Sequence, residues 1–373
     1  MIDKKITVEI IIAIFIAILP LTTFLIIFYL PPKSNKSQST TTMIPVIANR
    51  SQSITPISTT TMIPITREPS SLYEFKSHTF TTAGKSGSIG PTLAEVRSAY
   101  SGVSWAQNSE FLNMAVKGIQ EWKVPATGSY TIRAVGAGVP YIGWTTNGMN
   151  EFQKGIDVSI ITSLTKGEII KILVGQIPKQ NSTFELIGGA GGTFIVRGSQ
   201  TSPTAILVAG GAGGRGNRSA VSSSNASSSA IGNKGSGEGL YSPNNKVNNG
   251  YGYGGENGFG GGGSMMAAGG GGLLDNGINS DYVASGGYSF KNGSEGGTKF
   301  NMIDYPITEG GFGGGGGAAG GGGGGYSGGG AGGFFNGYWS SGGGGGSYSI
   351  TGSFTTATAN NNDNGFVVIT ANF

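Results

Sequence analysis

Not one of the 373 residues is a cysteine, and only one, His78, is a histidine. The first absence excludes disulfides and thiolate nucleophiles. The two together exclude the common zinc sites, which are built from several Cys and His ligands. No His-Glu-x-x-His or EF-hand spacing occurs. His78 has no acid at a telling distance, so a structural role is expected for it. Charge is also scarce: 11% of residues are charged, and the net +4 is spread thinly with no basic run. Nucleic acid is therefore not an expected partner, because phosphate binding needs clustered Lys and Arg. One glycine pattern imitates a nucleotide loop. Thr204 to Ala209 has strand character and runs into Gly211-Ala-Gly213-Gly-Arg-Gly216. A dinucleotide fold would need an amphipathic helix next and an acid about 20 residues on; the chain continues instead with an Asn- and Ser-rich loop. No cofactor and no enzymatic activity are expected. The stretch from 72 to 373 is long enough to support a core without disulfides, and the lack of cysteine also suits assembly in a reducing compartment.

What the chain has in excess is glycine, 72 residues of it. Between Gly310 and Gly346 it reads GGFGGGGGAAGGGGGGYSGGGAGGFFNGYWSSGGGGG, and an earlier copy of the order starts at Gly258-Phe-Gly-Gly-Gly-Gly263. Glycine loses the most backbone entropy on folding, so such runs are disordered unless something orders them. A bare backbone can form an extended threefold helix that packs against others of its kind through lateral N–H···O and Cα–H···O bonds. At about 3.1 Å per residue, Gly320 to Gly325 would span about 19 Å. The repeated order of runs bounded by aromatics favours packed polyglycine II helices over a flexible linker. Tyr326, Phe334, Phe335, Tyr338 and Trp339 interleave with the last runs. They either plug the ends of a glycine lattice or form an exposed loop. Phe334, Phe335, Tyr338 and Trp339 are the candidate partner-binding residues, since aromatics concentrate at binding hot spots.

The N-terminus has a different character. Residues 1–5 form a short cytoplasmic tail, and 6–30 a transmembrane signal anchor. Within it Ile10 to Leu30 is an uncharged run of 21 residues, long enough to span a bilayer. A cleaved signal peptide would have a shorter apolar region and a small-residue cleavage site. Lys4 and Lys5 precede the span while Lys33 and Lys36 follow it, so basic residues hardly bias its orientation. The bulk of the chain lies C-terminal, which favours a C-terminal domain on the extracellular, lumenal or virion-exterior side. Residues 31–71 are a stalk rich in Ser, Thr and Pro, with Thr40-Thr-Thr-Met-Ile-Pro45 repeated as Thr59-Thr-Thr-Met-Ile-Pro64. Such composition biases a chain toward extension and suits O-glycosylation. Asn35, Asn49, Asn181, Asn217, Asn225 and Asn292 lie in N-glycosylation sequons and are candidate glycosylation sites.

From residue 72 to 373 many short strands separated by turn residues predict an all-β sandwich, with glycine-rich insertions around 210–346. Trp122 and Val124 alternate before Pro125-Ala-Thr-Gly128, and Tyr130, Ile132 and Ala134 after it, which predicts a hairpin. Asp157–Ile161, Glu168–Val174, Thr193–Arg197, Thr204–Ala209, Ser347–Ile350 and Phe366–Thr370 are further strands, and Pro91 to Tyr100 fits one helix. Phe80-Thr-Thr-Ala-Gly84, Gly90-Pro-Thr92, Gly118-Ile-Gln-Glu-Trp-Lys-Val-Pro-Ala-Thr127, Ile172-Leu-Val-Gly-Gln176, Ala209 to Arg215, the later glycine runs and Asn364-Gly-Phe-Val-Val-Ile369 occur in this order. Together they resemble the glycine-rich extracellular region of the anaplastic lymphoma kinase and leukocyte tyrosine kinase receptors, over residues 78 to 370. The resemblance implies a tumour-necrosis-factor-like β-sandwich with inserted polyglycine II helices. It does not carry over the signalling role, because no kinase domain is present. In those receptors the segment after the last glycine runs is acidic and helps bind basic cytokines, whereas Thr356 to Asn364 here has only Asp363. The expected function is a membrane-anchored, non-catalytic binding or adhesion module that meets a protein or glycan on the exterior. Self-association as a coat or surface lattice, and a non-signalling trap for a secreted peptide, are the alternatives.

Overall fold

A computed structural model describes residues 71–139, 153–179, 186–217, 221–237, 250–300 and 308–373. The expected tail, anchor and stalk lie outside these residues, except Ser71. The structure is mostly β with few helices. In chain order the elements are β1 (Ser77–Phe80), α1 (Leu93–Ala99), α2 (Ser104–Gln107), β2 (Leu112–Val116), β3 (Ile119–Lys123), β4 (Gly128–Val135), β5 (Gly155–Leu164) and β6 (Ile169–Leu173). Then follow β7 (Thr193–Gly198), β8 (Pro203–Ala209), β9 (Phe334–Phe335), β10 (Tyr338–Trp339), β11 (Tyr348–Ser349), β12 (Thr356–Asn361) and β13 (Phe366–Ala371). Two antiparallel sheets carry the sandwich, in the orders β1-β13-β4-β5-β12 and β11-β8-β7-β6-β3-β2.

Alternation decides which side chains fill the space between the sheets. Trp122 from one sheet meets Tyr130, Ile132, Ile160 and Ile369 from the other in one buried cluster, with Phe80, Ile170 and Ile206. Burying each of these side chains is worth about 1.5–3 kcal/mol. Helix α1 closes one edge of this core through Val96. It begins two residues later than Pro91, because Thr92 is its N-cap: Thr92 Oγ1 accepts from Glu95 N–H and Glu95 Oε2 accepts from Thr92 N–H.

The expected hairpin across Pro125–Gly128 does not form. β3 pairs with β2 and β6, whereas β4 pairs with β5 and β13, so Pro125-Ala-Thr127 carries the chain from one sheet to the other. Alternation fixes the face a strand buries, not the strand it pairs with. Trp122, Val124, Tyr130 and Ile132 line one core whether the two strands bond or face each other. Tyr130 OH donates to Ala126 O at 2.7 Å and pins this crossing.

β4, β6 and β8 each run out of the sandwich at the same end, through Gly136, Gly175 and Gly210, into the glycine-rich part. There the hydrogen bonds repeat every three residues instead of two. Gly322 and Gly325 donate to Ala268 and Gly271, Gly323 and Tyr326 to Gly343 and Gly346, and Gly324 to Ala190, at 2.8–3.2 Å. The next run behaves alike. Gly328 and Ala331 donate to Phe259 and Gly262, Gly329 and Gly332 to Gly323 and Gly320, and Gly330 and Gly333 to Asn233 and Ser236. In the third, Gly342 and Gly345 donate to Gly214 and Gly211, Gly343 and Gly346 to Gly330 and Ser327, and Gly344 and Ser347 to Ser223 and Ser229. A β-strand sends its N–H groups to two sides; these segments send them to three, which defines a three-dimensional lattice of extended strands. The lattice demands glycine because neighbouring backbones touch. A Cβ on Gly324 would overlap the carbonyl of Gly313, one on Gly329 that of Gly343, and one on Gly345 that of Gly324.

The junction between sandwich and lattice is held by amides. Gln176, fully buried, donates from Nε2 to Gly87 O at 2.9 Å and Ile89 O at 3.1 Å, while its own N–H reaches Phe312 O at 2.8 Å. Asn364 accepts from Ile177 N–H at 2.9 Å and donates to Lys85 O at 3.0 Å. Leu72 N–H bonds Pro125 O, so the described chain enters at the end of the sandwich opposite the lattice.

Candidate functional surface

The four aromatic candidates form one two-stranded ribbon, β9 and β10, with Tyr338 opposite Phe335 and Trp339 opposite Phe334. Asn336 and Gly337 make its turn with φ of 49° and 78°, the pair of left-handed residues that a tight two-residue hairpin of this hand requires. The ribbon divides its aromatics between two roles. Trp339 is 6% exposed and packs with Phe334 against Ala268, Ala284, Ala318 and Ala319, its ring 5.0 Å from that of Phe334. Small lattice residues thus make room for one large plug. Tyr338 is 52% exposed, and Phe335 half-buried. Tyr326, further back, stacks on Tyr348 with centroids 4.4 Å apart, and burial raises its phenol pKa.

Asn217 ties the ribbon to the lattice. It is exposed, and its Oδ1 accepts from Trp339 N–H at 2.7 Å. Of the other sequons, Asn225 is half-buried with Oδ1 accepting from Lys154 N–H, and Asn292 is exposed with Nδ2 donating to Asn276 Oδ1 at 2.9 Å. Asn35, Asn49 and Asn181 lie outside the described residues.

His78 stands edge-on to three rings, those of Phe80, Tyr100 and Trp105, at centroid distances of 4.7, 4.6 and 5.0 Å. Burial pushes its pKa down to about 4. The nucleotide-like glycines Gly211, Gly213 and Gly216 belong to a lattice strand: Gly211 and Gly214 donate to Gly324 and Gly321. The residues after Gly216 do not form an α-helix where they are described. Among the described residues no group of three or more His, Cys, Asp or Glu side chains converges on a common point, and no helix is long and apolar enough to cross a membrane. The apolar run Ile10 to Leu30 is not among them. Thr356–Asn361 forms β12, an edge strand that among the described residues pairs with β5 alone. The carboxylate of Asp363 accepts from the N–H of Asn364 at 2.7 Å.

Sequence reasoning missed a second aromatic surface. Four successive outer strands of the lattice lie side by side: Gly262 N–H donates to Tyr253 O, Ile278 N–H to Gly261 O, and Gly277 N–H to Gly287 O. Each strand turns one large side chain to solvent, namely Tyr253, Phe259, Ile278 and Tyr288, all between 39% and 57% exposed. Alternation of period two cannot find these positions; a threefold reading of the glycine-rich segments is what would expose them.

Part of the chain is similar to the leukocyte tyrosine kinase receptor of Mus musculus, at 37% identity over 99 residues. That stretch is 26% of this chain and 10% of the receptor, so the chain spans about a tenth of the length of that relative. No protein-family model matches the chain. The relation to this receptor type is weak and partial, and it concerns a portion of the sequence.

Proposed function

We propose that the chain is a single-pass membrane protein that displays a non-catalytic, glycine-rich binding or adhesion module on the exterior. In this reading residues 6–30 are the anchor, 31–71 the stalk, and 72–373 a tumour-necrosis-factor-like sandwich with inserted polyglycine II helices. One observation carries it. The glycine lattice stands at the end of the sandwich away from Leu72, where the chain enters, and it holds the β9–β10 ribbon with Tyr338 turned outward. A lattice bonded in three directions loses little freedom on binding, so recognition there costs little ordering entropy. Partial similarity to a receptor supports the display role, while Thr356–Asn364 lacks the acids that the receptor mode of cytokine capture would use.

Two measurements test the proposal. After carbonate extraction of membranes the full chain is expected in the pellet, and a tag placed after Phe373 is expected to be accessible from the exterior without permeabilisation. Release into the supernatant, or a protected tag, would remove the anchor and the orientation respectively. For the ribbon, Tyr338→Ala is expected to weaken adhesion of coated beads to target surfaces several-fold while leaving the melting temperature within about 1 °C, as for an exposed substitution. Unchanged adhesion would move recognition elsewhere.

A further inference from the structure

The outer lattice face is a second surface, distinct from the ribbon. Its rings rest on turns that gather at one end of the strands. Phe259 N–H bonds Glu256 O, Gly272 N–H bonds Asp275 O, and Tyr288 N–H bonds Glu295 O. Glu256, Asp275 and Glu295 are exposed in these turns, whose carbonyls bond the backbones of Phe259, Gly272 and Tyr288, and none of the three takes part in an ion pair among the described residues. The same face carries amides held in fixed planes. Asn276 Oδ1 accepts from Ser289 N–H and Asn279 Oδ1 from Gly286 N–H, each at 2.9 Å. Their Nδ2 groups have no partner among the described residues. The two amides sit three residues apart on one threefold strand, about 9 Å along its axis.

We infer that this face binds a neutral oligosaccharide. A sugar ring presents an apolar C–H face for an aromatic side chain and a rim of hydroxyls that both donate and accept. The surface offers the matching set: exposed rings on a rigid plane, carboxylates that accept and amide groups that donate. The strand of Ile278 lies between those of Phe259 and Tyr288, so the two rings stand on ridges separated by one strand rather than in a pocket, as an extended chain of sugars requires. Charge selects the class. Three unpaired carboxylates, against Lys291 and, at the edge of the face, Lys234 over the Tyr251 ring, leave an acidic excess that disfavours sulfated and sialylated chains. They also disfavour a second copy docking the same face, because like charges would meet. A basic peptide would meet both the carboxylates and, through its carbonyls, the amides. It has no rigid apolar C–H ring face to lay on the exposed rings, and it is the competing occupant that the test includes.

The test uses the full-length protein and a defined set of probes: neutral hexasaccharides of glucose, mannose and N-acetylglucosamine, with heparin and an oligolysine peptide beside them. At least one neutral hexasaccharide is expected to bind, and Phe259→Ala or Tyr288→Ala to raise its Kd at least tenfold. Tyr288→Phe, which keeps the ring, is expected to retain binding, and so is Tyr338→Ala on the ribbon. Amide exchange across 258–289 checks that each variant keeps the lattice. Binding of heparin or oligolysine without any neutral sugar overturns the inference. So does the absence of neutral-sugar binding, or binding indifferent to both alanine variants with the lattice intact. Because Tyr338 belongs to the ribbon alone, failure of either surface is separable from failure of the other.

Discussion

Gly324→Ala is expected to lower the melting temperature by about 5 °C or more, although it adds a single methyl group. Gly324 N–H donates to Ala190 O at 2.9 Å from the interior of the lattice, and its missing Cβ is the space that the Gly313 carbonyl occupies. Backbone cannot rotate away as a side chain can. Overpacking of this kind costs about 3 kcal/mol or more, and in a domain of about 300 residues each kcal/mol is worth roughly 1.5–2 °C. Two comparisons give the result its meaning. Gly102 has open space where a Cβ would be and no left-handed φ, so Gly102→Ala is expected to be neutral or to stabilise by about 0.4–1 kcal/mol through the unfolded state. Ala331 is fully buried within a run and bonds Gly262 O in the threefold pattern, which shows that a Cβ is accepted where it points into a gap. Thermal melts of the three proteins side by side read the difference. Equal melting temperatures for Gly324→Ala and Gly102→Ala would mean that the runs are not in contact.

Acid is expected to loosen the sandwich between pH 6.5 and pH 4, through His78. Burial among Phe80, Tyr100 and Trp105 holds its folded-state pKa near 4, below the ordinary 6.5. The folded state therefore binds this proton less readily than the unfolded chain. Its contribution to stability is fully present above pH 6.5 and is lost as pH falls toward 4. The whole interval corresponds to about 3 kcal/mol, and the ring is partly open to water, so about half of that is expected. Glu95 overlaps only the acid end of this window. Its hydrogen bond to Lys85, then those to Thr92, hold its pKa down to about 2, so what it contributes is full above its ordinary range and is lost progressively from there down to that lower value. His78→Phe fills the same apolar site without a titrating group. Its melting temperature is expected to change less between pH 7 and pH 4.5 than that of the parent chain. Parallel pH profiles would show that the imidazole is not the group responsible.

Much of this architecture is legible in the residues, for identifiable reasons. Strands such as Thr193–Gly198 and Phe366–Ala371 carry dense β-branched and aromatic runs, and the capped helix at Leu93 is announced by Thr92 and Glu95. β12 was not expected because Thr356–Asn361 lies at a sheet edge, mostly exposed, and so has no apolar alternation to display. β1 is short, and its His78 and Phe80 gain meaning only once Trp105 and Trp122 surround them. The pairing across Pro125 failed because partner choice depends on a core shared by distant strands. For the candidate sites, the aromatic ribbon was visible as a cluster in the text. Its division into a buried Trp339 and an exposed Tyr338 was not, since this depends on the cradle of Ala268, Ala284, Ala318 and Ala319. The outer face of Phe259 and Tyr288 was hidden by its threefold period.

The packing of glycine against glycine underlies both proposed surfaces, and hydrogen exchange of the full-length protein measures it directly. Amides of 322–325, 329–332 and 342–346 each have a backbone acceptor within 3.2 Å and lie inside the lattice. They are expected to exchange only through opening of the whole domain, with protection equal to that of β4 and β13 in the sandwich core. Exchange at the rate of an unstructured glycine peptide, with β4 and β13 still protected, would contradict the lattice and leave the ribbon and the outer face without support.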